Sequence, residues 1–148
     1  MAILFVRTEN LERSWPFVPE ALINRLNELD EVRVVTVERG APVGEATDLS
    51  QVSAIALFGG KLTEACLAGA PELKAVGGVL DNSGHRNLPV DEMFERDIPI
   101  IDATRAWASS VAEVTLALAL NSLRMIPQWH KRMASGGRLW NFEFAQFC

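Results

Sequence analysis

Five short apolar runs punctuate the chain, at Ala2 to Val6, Val32 to Val37, Ala54 to Phe58, Leu73 to Gly77 and Ile98 to Ile101. β-branched residues are enriched in them and polar or turn-forming segments separate them, so each predicts a strand. The runs are continuous more than alternating, the pattern of strands buried on both faces of a parallel sheet. Helices then have to cover both sides. Val18, Leu22, Leu26 and Leu29 fall at i, i+4, i+8 and i+11 and predict one stripe of a helix between the first two strands. Thr63 before Glu64-Ala65-Cys66-Leu67 reads as an N-cap and a short helix, and Pro89 to Arg96 as another with proline in its first turn. Residues 38 to 51 contain Gly40, Pro42 and Gly44, which predict a loop, with room for a helical turn only at Thr47 to Gln51.

Right-handed crossovers between five parallel strands lead to an α/β fold, a flavodoxin-like doubly wound sheet of order 2-1-3-4-5. In such sheets ligands sit outside the carboxyl ends of the strands, where the winding reverses. The loops there are Arg7-Thr8-Glu9-Asn10, Gly59-Gly60-Lys61 and residues 77 to 87, the last of which carries three glycines, Asn82, Ser83 and His85. Glycines let backbone amides approach a bound anion, and a histidine beside them can orient a carboxylate. A second reading stays open at this point, in which the glycines only turn the chain and His85 is solvated.

The remainder is patterned differently. Ser110-Val111-Ala112-Glu113 has the spacing of a capping box and predicts a helix start, after which VTLALALNSLRMI is apolar or alanine on nearly every face until Pro127 ends or kinks it. A helix of that kind needs cover all round, and the sheet domain offers one surface at most, so a second has to come from another domain or another chain. Residues 1–104 are therefore read as the sheet domain, and 105–148 as a protruding C-terminal helix and tail that pairs in a homodimer through residues 110–126. After Ile126 come Trp129, His130, Lys131, Arg132, Gly136-Gly137, Trp140 and an aromatic tail without clear period.

A length of 148 residues holds one compact domain of ordinary size, and 49% hydrophobic with 22% charged residues is the composition of a folded chain. The 14 basic and 19 acidic residues leave a formal net charge of −5, the wrong sign for a nucleic-acid partner. Val111 to Leu120 is interrupted by Glu113 and is shorter than the roughly 18 residues of a membrane span. Met1 to Val6 lacks a basic leader, so a cytoplasmic location without membrane contact is expected. Cys66, Cys148, His85 and His130 offer neither a disulfide framework nor a metal-ligand spacing. Phe58-Gly59-Gly60-Lys61-Leu62-Thr63 is not a phosphate loop, because Ile55 and Leu62 stand where that motif needs glycine and a hydroxyl; it reads as a tight strand-to-helix turn. Val6-Arg7-Thr8-Glu9 lacks the clustered aspartates of a receiver domain, and no G-x-G-x-x-G occurs.

From Ala54 to Trp140 the order of signals resembles the D-isomer-specific 2-hydroxyacid dehydrogenases: a strand, LTEACLAGAPELKAVGG, SGHRN, LPVDEMFERDIPIIDA, then SSVAEVTLALALNSLRMIPQWHKRMASGGRLW. Its most specific parts are PELK paired with ERDIPI across a glycine-rich loop, and SVAEVTLALAL followed by Pro127, Gly137 and Trp140. The resemblance implies a flavodoxin-like substrate-binding domain, a long helix that crosses to a nicotinamide domain and helps build a dimer, and NAD or NADP as cofactor of the full-length family. It places Ser83, Gly84 and His85 in the turn that holds the substrate carboxylate and matches Asn87 to the closing asparagine. Gly59 and Gly60 lie across the cleft from that turn. Asn82-Ser83-Gly84-His85-Arg86 departs from the usual G-x-G-x-D, which leaves the acid open. The family's catalytic arginine, glutamate and histidine, with its dinucleotide fingerprint, fall beyond Cys148, so no catalytic residue and no cofactor are expected in this chain. The expected function is thus the substrate-binding portion of an NAD(P)-dependent 2-hydroxyacid oxidoreductase, truncated and inactive by itself, holding a small 2-keto or 2-hydroxy acid. The competing expectation is an inactive stand-alone ligand-binding or oligomerisation module.

Overall fold

A computed structural model describes residues 1–80 and 88–137. The chain divides into two compact units, Met1–Thr104 and Arg105–Cys148. In the first, five strands, β1 (Ala2–Arg7), β2 (Glu31–Thr36), β3 (Val52–Phe58), β4 (Ala75–Gly78) and β5 (Ile100–Asp102), pair in parallel in the order β2-β1-β3-β4-β5. This is the expected α/β doubly wound order, with the winding reversing between β1 and β3.

Successive strand residues face opposite sides, which sorts the core. Leu4, Val6, Ile55, Leu57 and Val76 join Val43, Leu62, Cys66, Leu67, Met93 and Ile98 in one buried cluster. Phe5 is fully buried on the opposite side of β1, where its ring centroid lies 5.3 Å from that of Phe58. Each such large side chain contributes about 1.5–3 kcal/mol on burial, and the cluster holds the strand ends in place.

Between β1 and β2 run α1 (Leu11–Ser14) and α2 (Val18–Asn27). Leu22 and Leu26 are half-buried as the stripe requires, whereas Leu29 lies beyond the helix end and is 78% exposed. The β2–β3 crossover corrects the sequence expectation: its helical turn is α3 (Val43–Ala46), not Thr47 to Gln51. Pro42 serves as N-cap and Thr47, in extended conformation, ends the turn. The expected cap of α4 (Glu64–Ala68) is present, with Thr63 Oγ1 accepting from the Cys66 amide at 3.3 Å. In α5 (Val90–Glu95), Pro89 is the N-cap residue, one position earlier than expected.

A 3₁₀ turn (Ala103–Trp107) leads into α6 (Ala108–Leu123), followed by α7 (Ile126–Ala134). The Ser110–Glu113 capping box does not form. Its serine lies inside a helix that already starts at Ala108, with Trp107 as N-cap residue and no side-chain cap. Pro127 does not end α6 either. The helix stops at Leu123, Met125 takes a left-handed φ of 52°, and Pro127 occupies the first turn of α7, where its missing N–H costs nothing. The guanidinium of Arg132 lies 5.8 Å from the Trp129 ring centroid. No residue of α6 is buried, and Leu116, Leu118 and Leu123 are each more than 60% exposed. Helical geometry from Arg105 to Leu123 covers 19 residues, long and apolar enough to cross a membrane by length and composition. The expectation of too short a run counted only unbroken apolar residues and missed the turns on either side.

Candidate functional site

The loops at the carboxyl ends of β1, β2, β3 and β4 enclose a cleft of about 720 Å³. Thr8, Glu9 and Asn10 come from the turn after β1, and Leu11 and Trp15 from α1 and its C-cap. Thr36 ends β2 and Val37 to Gly40 follow it, Leu57 to Gly60 run from the end of β3 into its turn, and Val79 with Leu80 follow β4. The topology explains this assembly, because β1 and β3 are neighbours in the sheet while their crossovers leave in opposite directions, which opens a crevice between their loops.

Backbone pairing continues past the strands and fixes the loops. The Val37 amide donates to Arg7 O at 2.8 Å, Lys61 to Ala41 O at 2.9 Å, Val43 to Lys61 O at 3.0 Å and Val79 to Leu57 O at 3.2 Å. Arg7 Nε donates to Thr36 Oγ1 at 3.2 Å across β1 and β2. The Leu80 amide, at the start of the loop after β4, donates to Asp102 Oδ1 at 3.4 Å.

Both glycines expected at the site line the cleft, and each also has a packing reason to be glycine. Gly60 has φ +69°, and a Cβ there would stand 2.8 Å from Val37 Cγ2 and 3.0 Å from Ala41 O. A Cβ on Gly59 would run into the Thr8 methyl. The pair thus lets the β3 turn settle onto the loops after β1 and β2.

Ser83, Gly84, His85 and Asn87 lie outside the described residues. Leu80 and Leu88 on either side of that stretch are both buried, and Leu80 lines the cleft. His130 is an exposed residue of α7 in the second unit. Trp15, Glu38, Arg39 and Gly40 were not singled out by sequence reasoning. The signal was available: order 2-1-3 seats the end of β2 beside that of β1, so the loop after β2 belongs to the same mouth.

The cleft has an apolar floor of Leu11, Val37, Leu57 and Leu80, all buried, and a polar rim in which the charged residues are Glu9, Glu38 and Arg39. Among the described lining residues no His, Cys or Ser stands to serve as nucleophile or base. Among the described residues no group of three His, Cys, Asp or Glu is placed to hold a metal. Cys66 is buried, with its sulfur accepting from Thr63 Oγ1 at 3.3 Å and from the Gly44 amide at 3.4 Å, which makes it part of the α3–α4 packing. A nicotinamide dinucleotide does not fit the first strand-to-helix turn. Thr8-Glu9-Asn10 has no glycine for a pyrophosphate approach, Glu9 puts a carboxylate there, and α1 has only 4 residues.

Over 88 residues the chain is 30% identical to a glyoxylate/hydroxypyruvate reductase B of Yersinia enterocolitica, a match covering 60% of this chain and 26% of that protein. Its fold matches the crystal structure of a phosphoglycerate oxidoreductase from Rhizobium etli with a TM-score of 0.64 and 22% identity, over 95% of this chain and 42% of that one. It also matches a D-lactate dehydrogenase from Aquifex aeolicus, crystallised with NAD and lactic acid, with a TM-score of 0.54 and 22% identity, over 95% of this chain and 39% of that one. No protein-family profile matches the chain. The architecture is that of a flavodoxin-like doubly wound α/β domain with a C-terminal helix. In sequence and fold the chain is thus similar to proteins of the D-2-hydroxyacid dehydrogenase family; it spans about a quarter of the curated relative's length and about two fifths of the solved chains.

Proposed function

We propose that the chain is the substrate-binding portion of an NAD(P)-dependent 2-hydroxyacid oxidoreductase and holds a small 2-keto or 2-hydroxy acid at the carboxyl ends of its strands. The observation that carries this reading is the cleft at the winding reversal, lined by Gly59 and Gly60, in a chain similar to proteins of this family. Ser83, Gly84 and His85, which lie outside the described residues, supply the carboxylate cradle in this reading. In this reading the chain itself transfers no hydride and binds neither NAD nor NADP, since the glycine turn and acidic residue of a dinucleotide site are missing from its sequence.

The test is an NMR titration with pyruvate or glyoxylate. Amide shifts at Gly59 and Gly60 and over Ser83 to Arg86, abolished by Gly84→Val, support the reading. Shifts concentrated at the amino ends of the strands, or unchanged binding by Gly84→Val, refute it.

The second part of the reading is a cytoplasmic homodimer through residues 110–126. Its support is that α6 exposes Val111, Val114, Leu116, Leu118, Leu120 and Leu123 around its circumference. A second copy fits this surface better than a bilayer does. Glu113 lies within one residue of the middle of Arg105–Leu123, where an acidic side chain in hydrocarbon costs about 3 kcal/mol, while in a protein interface it needs only a hydrogen-bonding partner.

A further inference from the structure

Resting on the dimer reading above, we infer a second docking surface for α6: the stripe Val111, Val114 and Leu118 of one protomer's helix lies on the open face of its partner's sheet, over β3, β4 and β5, and the partner's helix returns the contact. The first observation is an uncovered side of the sheet. Register sets Ala54 and Ala56 of β3 beside Ile3 and Phe5 of β1, Ala75 and Gly77 of β4 beside those alanines, and Ile101 of β5 beside Gly77. All share the side of Phe5, opposite the main buried cluster. α3, α4 and α5 send Val43, Leu67 and Met93 into that cluster, so among the described residues of the first unit α1 and α2 are left for the Phe5 side. A helix is about 10 Å across and strands lie about 4.8 Å apart, so α2, packed by β2, covers about two strands of the five. The rest is open. Ala54, Ala56, Ala75 and Gly77 are half-buried, Ile101 is 63% exposed, and none of the five is charged.

The second observation is Gly77. A Cβ there would meet Ile101 O at 3.4 Å and Ile101 Cβ at 3.5 Å, which are ordinary contacts, so its neighbours in the sheet do not require glycine. Glycine inside a strand marks the close approach of another backbone.

The third observation is α6 itself. Its exposed apolar residues form two opposite stripes, Val111, Val114 and Leu118 on one side and Leu116, Leu120 and Leu123 on the other. A helix pair uses one of them. Three such side chains bury about 200–350 Å², short of the roughly 800 Å² per partner of a stable interface, and leave the other stripe wet. Glu113 precedes Leu116 by one turn and borders the leucine stripe, which leaves the valine stripe for the uncharged sheet face. The lengths agree: α6 with 16 residues is about 24 Å long and β3 with 7 is about 23 Å. Each protomer gives one helix and receives one, so the assembly closes on a two-fold axis.

The experiment mixes isotope-labelled with unlabelled full chain, records contacts between copies by filtered NMR, and measures dimer dissociation by sedimentation for the parent, Ile101→Glu and Gly77→Val. Methyl contacts from Ala54 and Ala75 of one copy to Val114 and Leu118 of the other are expected, and each variant should raise the dissociation constant at least tenfold. Ile101 is exposed and Gly77 has room for a Cβ, so both variants should fold, which circular dichroism checks. Where a variant unfolds, the methyl contacts of the parent decide. Contacts between copies at Leu120 alone, alanine contacts within one copy alone, or a dissociation constant within about twofold of the parent's in folded variants overturns the inference and leaves the dimer reading standing. A monomeric parent overturns the two together.

Discussion

Arg96, in the turn after α5, donates from both terminal nitrogens to the end of α4: Nη1 to Leu67 O at 2.6 Å and Nη2 to the nearby Ala70 O at 2.7 Å. Each carbonyl also accepts one backbone amide, Leu67 O from Ala70 at 3.0 Å and Ala70 O from Leu73 at 3.3 Å, and one planar cation from a segment 26 to 29 residues later in sequence adds a charged donor to both. It ties the β3–β4 crossover to the β4–β5 crossover beneath the buried Leu67 and Met93.

Removing that clamp is expected to destabilise the first unit. Arg96→Ala should lose about 2–3 kcal/mol in urea unfolding, the range for losing charge-assisted bonds to part-buried carbonyls. Arg96→Lys should recover part of it, as one ammonium cannot reproduce the fork. A loss below about 0.5 kcal/mol would show that water replaces the guanidinium at no cost.

Two glycines with nearly the same backbone conformation should respond differently to alanine. Gly40 (φ +79°) has nothing within 4 Å of a built Cβ, whereas at Gly60 (φ +69°) the Cβ meets Val37 Cγ2 and Ala41 O. Gly40→Ala should therefore cost only the left-handed penalty of about 1–2 kcal/mol. Gly60→Ala should cost clearly more and also perturb the amide resonances of Val37 and Lys61. Equal losses would mean that the loops give way freely.

Leu120→Glu addresses the pairing proposed for α6. Light scattering at tens of micromolar should show a dimer for the parent and a monomer for the variant, since one buried carboxylate beside an apolar partner outweighs the roughly 1.5–3 kcal/mol that a leucine contributes. An unchanged mass, or a monomeric parent, removes residues 110–126 as the interface. Recruitment of the parent to neutral phospholipid vesicles would assign the helix to a bilayer instead.

Asp48 supplies a pH test. Ser50 donates to it from its amide at 3.0 Å and from its hydroxyl at 2.7 Å. These bonds hold its carboxyl below the ordinary value of 3.8, with the charge of Arg33 adding to the effect. A depressed folded-state pKa means that the unfolded chain binds the proton first. The contribution is thus complete above about pH 4 and is lost as the pH falls through the lower folded value. Carboxyl-carbon NMR should place the Asp48 midpoint below that of an unfolded peptide, and Ser50→Ala should raise it. A midpoint at or above the peptide value contradicts the assignment.

The strands were legible because continuous apolar runs bounded by glycine or polar residues have few other uses in a chain of this size. The order followed from crossover handedness. What could not be read depends on contacts distant in sequence. α3 exists where Val43 and Ala41 pair with Lys61, so proline and glycine that locally signal a loop become the cap and body of a helical turn. Ser110 and Glu113 have the right spacing for a capping box, but the 3₁₀ turn at Ala103–Trp107 starts the helix before them. At the site, Gly59 and Gly60 were found from the rule of strand ends. Arg39 escaped it because the loop after β2, which order 2-1-3 seats at the same mouth, was not counted among the strand ends, and Trp15 because it follows α1 beyond the turn after β1.

The last strand of the sheet has a consequence of its own. β5 is only 3 residues long, Pro99 before it has no N–H to offer, and Val76 on the inner side already takes the Pro99 carbonyl at 3.1 Å. At the opposite border, β2 opens on Glu31 and sets Arg33 between its valines. Neither border offers an incoming strand a long, flat, uncharged row of amides, which is how sheets resist templated growth. If concentrated solutions of this chain turn sticky, the adhesive element should then be helical, and the precipitate should lack the 4.7–4.8 Å meridional reflection of amyloid.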